Sequence, residues 1–171
     1  MKAKLIILTL SVLYLNAMAQ SSSIAEQIAS HKDELPGYYV FVSMEFSEPF
    51  DLNRDGKVGW SFVQEMDKCA RDQQFEFNED GTGKMYWGQL EKDCERKGEE
   101  SFQWKIKERQ VNTKAGQVTK YYLVMGDEFD GSSFEITDLV PGILTIKGEF
   151  PDGLDSTYEG EMQMRKKKKK K

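Results

Sequence analysis

The sequence predicts an all-β domain: eight antiparallel strands in an up-and-down barrel, with a short N-terminal helix and a loop–helix insertion after the first strand. From Pro36 onward, apolar and polar residues alternate with a period of two, which marks antiparallel strands wet on one face. Gly-, Pro- and Asn-rich turn signals cut this alternation into short runs, and a ring of eight runs leaves no sticky edge. Helical spacing is confined to two segments.

In chain order, residues 1–19 read as a secretory signal. Lys2 and Lys4 precede the apolar run Leu5–Leu15, and Ala17 and Ala19 supply an A-x-A cleavage site before Gln20. No Cys stands at that site, so a lipid anchor is not expected, and the apolar run is short for a membrane span. The expected location is periplasmic or extracellular. Residues 20–35 form a helical segment, with Ile24, Ile28 and Leu35 at helical spacing behind a Ser cap. Residues 36–165 are the barrel and 166–171 a disordered poly-Lys tail.

The first strand, Gly37–Ser47, leads into "DLNRDGKVGWSF", Asp51–Phe62. A calcium loop takes side-chain oxygens at positions 1, 3 and 5, Gly at 6, a carbonyl at 7 and a bidentate Glu at 12. Asp51, Asn53 and Asp55 fill the first three places, Gly56 the turn and Lys57 the carbonyl, but position 12 is Phe62. The unit reads as half an EF-hand, and a closing carboxylate is expected from Glu65, Asp67 or a neighbouring loop. Ca2+ is the expected ion, structural and weakly held. The competing reading is an Asx-rich turn whose acids bond their own backbone. "WSFVQEMDKC" then places Phe62, Val63, Met66 and Cys69 on one helical face.

Seven further strands follow: Phe75–Asn78, Lys84–Gly88, Ser101–Arg109, Val118–Met125, Ser133–Leu139, Ile143–Glu149 and a last one around Tyr158–Met164. Turn signals "NEDGTG", "VPG" and "PDG" punctuate them. Cys69 and Cys94 are the only cysteines, and in an exported chain an isolated pair means one disulfide. Closing that loop contributes about 3 kcal/mol in the chain-entropy account. Phe75, Phe77, Trp87, Phe102, Trp104 and Tyr122 are the candidates for inward, ligand-lining positions, with Met85, Met162 and Met164 beside them. Their alternation alone does not distinguish a filled barrel from a hollow one.

Charge and histidine content exclude several functions. Outside Lys2, Lys4 and the terminal Arg165–Lys171, 15 basic residues face 29 acidic ones, a net charge near −14. Such a body does not suit nucleic acid, which needs a basic face. The Arg165–Lys171 run is a solvated tail or a docking element for an anionic envelope surface. His31 is the only histidine and lies ahead of the barrel, which removes Ser-His-Asp and Cys-His nucleophile systems and His-ligated zinc. The remaining acids are spread along strand faces and turns, as in Glu91–Glu100. We expect a monomer without catalytic activity.

The segments "PFDLNRDGKV", "CARDQQFEFNEDGTG", a second Cys and "FQWKI" together resemble the lipocalin-like domains of secreted bacterial proteins. Asp51–Lys57 match one motif of that family. Cys69, Asp72, Phe77, Asp80, Gly81 and Thr82 match a second, and Cys94 with Trp104 a third. The likeness runs roughly from Gly37 to Ile146. Where such chains usually carry G-x-W, this one has Gly37-Tyr38-Tyr39. The resemblance implies an up-and-down barrel and an apolar pocket for a small hydrophobic molecule, a fold more firmly than a function.

Overall fold

The computed structural model describes residues 24–89, 93–95, 97–114, 116–126, 131–151 and 157–168. The expected signal segment, 1–19, and Lys169 to Lys171 lie outside them. Residues 24–31 form helix α1, continued by a 3-10 turn at Lys32–Glu34. The strands are β1 (Gly37–Phe50), β2 (Gly59–Ser61), β3 (Gln73–Phe77), β4 (Thr82–Trp87), β5 (Gly98–Thr113), β6 (Gly116–Met125), β7 (Ser132–Val140), β8 (Ile143–Pro151) and β9 (Thr157–Lys167). Helix α2 is one turn, Phe62–Glu65.

Eight of these strands make the expected ring. Each of β3 to β8 pairs antiparallel with its successor, and β1 closes the circle between β9 and β3. One edge of β1 meets β3 over Gly37–Val40, and the other meets β9 over Tyr38–Phe46. The later half of β1 carries β2, through Glu45 with Ser61 and Phe50 with Gly59. This ninth strand was not anticipated, because three residues are too short to show a period.

The turns follow from their residues. Asn78 N–H donates to the Thr82 carbonyl at 2.8 Å, and Gly81 takes φ +83°, a conformation that costs glycine nothing. Asp80 caps the same hairpin, accepting from the Thr82 hydroxyl (2.7 Å) and N–H (2.9 Å). These bonds, the hydroxyl's foremost, hold its carboxyl below the usual range.

Two expectations change. The helix predicted through Cys69 ends after a single turn, since Met66 is already extended at ψ 149°. Asp67 then accepts the N–H groups of Cys69 (2.8 Å) and Ala70 (2.9 Å), a side-chain turn that competes with helix. The last strand also reaches into the expected tail, 166–171. Lys166 and Lys167 belong to β9, paired with Tyr39 and Tyr38.

Bulges redirect the core. The register of β1 against β9 slips between Phe41 and Ser43, so the inward set changes from Tyr39 and Phe41 to Met44 and Phe46. A second slip, between Ile136 and Asp138, moves β7 from Phe134 and Ile136 to Leu139. An extra residue reverses the faces of everything beyond it.

Strand direction defines two ends. At one end lie the start of β1, the β7–β8 hairpin and the end of β9. Here α1 and its 3-10 turn bury Ile28 and Leu35 in the same core as Tyr39, Phe77, Leu139, Leu144 and Met164. Gln27 Nε2 bonds Asp138 Oδ1 at 3.5 Å, and Lys166 Nζ donates to the Glu34 carbonyl at 2.5 Å. This end is a filled floor. The opposite end holds the starts of β3, β5 and β7.

Candidate functional site in the barrel lumen

Above the floor the barrel is hollow. A cavity of about 330 Å³ is enclosed by side chains from β1, α2 and β3 to β9. Phe41 and Met44 come from β1, Phe75 from β3, Met85 from β4 and Phe102 from β5. Met125, Phe134 and Ile146 follow from β6 to β8, then Phe150, Tyr158, Met162 and Met164. The volume is at the small end of ligand cavities, and an apolar lining with few polar groups is their usual character. Five methionines line it, and flexible thioethers mould to irregular shapes.

The walls are held by aromatic contacts. Phe134 stacks on Phe150 at 4.7 Å between centroids, and Phe46 meets Tyr158 edge-on at 5.0 Å. Tyr158 also donates its hydroxyl to Met44 Sδ at 3.5 Å. Gly83 opens the space that Phe102 occupies, since a Cβ there would stand 2.4 Å from the Phe102 ring. The polar lining is small: Gln73, Glu100 and Ser132, each near the start of its strand, with no Lys, Arg or His among the described lining residues.

Of the aromatic candidates, Phe75 and Phe102 line the cavity. Phe77 is buried in the floor below it, edge-on to Tyr39 (5.7 Å) and Trp104 (5.5 Å). Trp104 closes the same corner, its indole N–H donating to the Thr82 carbonyl at 2.8 Å. Trp87 shares the inward phase of Met85 but lies across Gly98, where an added Cβ would meet its ring at 2.1 Å. Tyr122 faces outward beneath the Arg109 guanidinium, 4.8 Å from the ring centroid. Leu123 is the inward residue there, fully buried opposite Phe134. Met85, Met162 and Met164 all reach the lumen. The residues that reading missed are Phe41, Met44, Phe62, Met125, Phe134, Ile146, Phe150 and Tyr158. Those on β8 and β9 were legible as alternation, whereas Met44 was hidden by the β1 bulge.

A second depression, about 590 Å³, lies on the outer faces of β6 to β9 around Glu135, Lys147 and Glu159. Lys147 and Glu159 pair at 3.3 Å. It is larger than the lumen but open and ionic, so it buries little apolar surface, and the lumen is the better ligand site.

The Asp51–Lys57 loop stands beside the lumen wall. Asp51 accepts the N–H groups of Asp55 (3.0 Å) and Gly56 (2.9 Å) through its two oxygens. Asn53 Oδ1 accepts from Asp55 N–H, and Asp55 Oδ1 from Lys57 N–H, both at 2.9 Å. Phe62, where a twelfth ligand would stand, turns into the cavity and packs on Phe41 at 5.5 Å. Glu65 is 7 % exposed and its Oε2 accepts the Leu52 N–H at 3.2 Å. Gly59 makes room for it, since a Cβ would meet Oε1 at 2.3 Å. The donors fit half a calcium loop. Among the described residues, no three acidic, His or Cys side chains converge as a metal cage.

Cys69 and Cys94 are joined, with Cα atoms 5.6 Å apart, a bond formed in oxidising compartments. No helix of the described residues is long and apolar enough to cross a membrane. No curated protein and no solved structure matches the chain. A family model for the lipocalin-like domain matches residues 35–146, a span running from the floor through β1 to the first four residues of β8, which carries the disulfide, the acidic loop and most of the lumen. The chain therefore belongs to the lipocalin-like domain family.

Proposed function

We propose that this lipocalin-like protein is an exported, monomeric, non-catalytic carrier that holds one small apolar molecule in the barrel lumen. The observation that carries this reading is the cavity of about 330 Å³ with its methionine-rich lining. At about 30 Å³ per water, that is the space of about eleven waters, enough for a compact ligand and too small for a diacyl lipid. Ring closure supports a monomer, because every ring strand is paired on both sides and open edge is left only along the projecting β5–β6 hairpin, beyond Gln103 on β5 and before Tyr122 on β6. The Asp51–Lys57 loop takes Ca2+ as a structural ion, through Asp51, Asn53, Asp55, the Lys57 carbonyl and Glu65. Glu65 favours this, as a buried carboxylate reaching the loop from α2.

The test is native mass spectrometry of the folded protein prepared from an exporting bacterial host, together with a Met85→Trp variant. An apolar adduct on the wild-type protein that Met85→Trp reduces or abolishes supports the lumen as its seat. An adduct that Met85→Trp leaves unchanged puts the ligand elsewhere. A bare mass, with no added apolar compound able to bind, sets the carrier aside in favour of an envelope interaction module acting through the basic C-terminus. That reading draws support from the exposed Arg165, Lys167 and Lys168 at the floor end.

A further inference from the structure

We propose that the lumen selects its ligand by head group, preferring a small apolar amine, its ammonium held at Glu100, over a carboxylate of equal length. The inference rests on the lumen being the binding site and adds the chemistry of its mouth. Gln73 shares the inward phase of Phe75 and Phe77, Glu100 that of Phe102 and Trp104, and Ser132 that of Phe134 and Ile136. Each is the outermost lining residue of its strand toward the open end. A residue in phase with a buried apolar face is ordinarily apolar, so three polar residues at corresponding places make a polar collar on an apolar hole.

The charge of that collar is one-sided. Among the described residues, Glu100 is the only charged one of the lining. The nearest strand neighbour of opposite sign, Lys84, is turned to the outer face, where it pairs with Glu99 at 3.0 Å. Outside Lys2, Lys4 and Arg165–Lys171 the chain carries 29 acids against 15 bases, so the surrounding field also draws cations and repels anions. An entering carboxylate would lose hydration, find no cation among the described lining residues and meet Glu100, an uncompensated desolvation. An ammonium instead finds an acceptor in the Glu100 carboxylate, and elsewhere on the rim the Gln73 amide oxygen and the Ser132 hydroxyl are acceptors too. The alkyl body then lies among Met85, Met125 and Met162, whose flexible side chains follow its shape.

The experiment is displacement of the neutral fluorophore N-phenyl-1-naphthylamine at pH 7 by decylamine, decanol and decanoate. It is run on the folded wild-type protein, on Glu100→Gln, and on Glu99→Gln as an outer-face control. We expect decylamine to bind about threefold tighter than decanol, the scale of an exposed charge contact. Decanoate should bind at least about tenfold more weakly than decanol. Glu100→Gln should bring the amine and alcohol affinities together, each read against that variant's own fluorophore affinity, and Glu99→Gln should leave the ratio as in the wild type. Decanoate competing as well as decylamine would overturn the head-group assignment and leave the lumen standing. So would an amine-to-alcohol ratio unaltered in Glu100→Gln. A fluorophore that gains no intensity with any of the three proteins would remove the carrier reading, and the selectivity with it.

Discussion

Tyr39 shows how one residue is set by its surroundings. It is 2 % exposed and lies edge-on to Phe77 with Lys166 Nζ 5.8 Å from its ring centroid. Burial first, and Glu34 second, push its phenol from an ordinary 10.0 up to about 12. Because the folded form holds the proton more tightly, Tyr39 contributes stability that is full below pH 10 and lost as the pH rises towards 12. Urea unfolding from pH 9 to 12 should therefore fall off more steeply for the wild type than for Tyr39→Phe. The difference should reach roughly 2 kcal/mol at most, after allowing for water at the phenol; parallel curves would show that Tyr39 titrates normally. Phe62 illustrates what sequence conceals. As position 12 of a calcium loop it looks like a defect, but its ring forms part of the lumen wall. Tyr122 was misassigned for a simpler reason: two apolar neighbours, Tyr122 and Leu123, compete for one inward place, and only the register against Phe134 chooses between them.

At the scale of elements, hairpins were legible because their turns demand particular residues, as Asn78–Gly81 does. The segment from Asp51 to Asp72 was less so. Its loop and single helical turn are held by local side-chain bonds, by β2 and by the disulfide, none of which leaves a periodic trace. The disulfide anchors the chain just after α2 to the segment before β5, a constraint of about 3 kcal/mol by loop entropy. Here the calcium proposal can be checked. Adding Ca2+ to about ten times its Kd should raise Tm by about 3 to 6 °C, and Asp51→Asn should abolish the rise. Mg2+, which demands octahedral geometry and dehydrates reluctantly, should do less. An unchanged Tm would leave the loop as an Asx turn, sufficiently explained by the four N–H bonds that Asp51, Asn53 and Asp55 accept.

Over the whole molecule, the two ends of the barrel are chemically distinct. The acidic collar of the lumen and the basic C-terminus sit at opposite ends, since β9 runs from Tyr158 in the lining to Lys167 beside Tyr38 at the floor. Docking through the C-terminal lysines would therefore turn the mouth away from the surface and leave it accessible. Co-sedimentation with phosphatidylglycerol vesicles at low salt should lose about 1 kcal/mol for each lysine removed from Lys168 to Lys171, and should vanish on phosphatidylcholine. Full retention without those lysines would eliminate the tail as a docking element. The sequence by itself determined the all-β class, the count of eight ring strands, the disulfide and most inward faces, because period-two burial and turn chemistry act over a few residues. Only the tertiary structure decided that the barrel is filled at one end and hollow at the other, that bulges reverse β1 and β7, and that Phe62 serves the lumen. Those outcomes depend on ring closure, strand register and the seating of α1, contacts between residues far apart in the chain that no local pattern records.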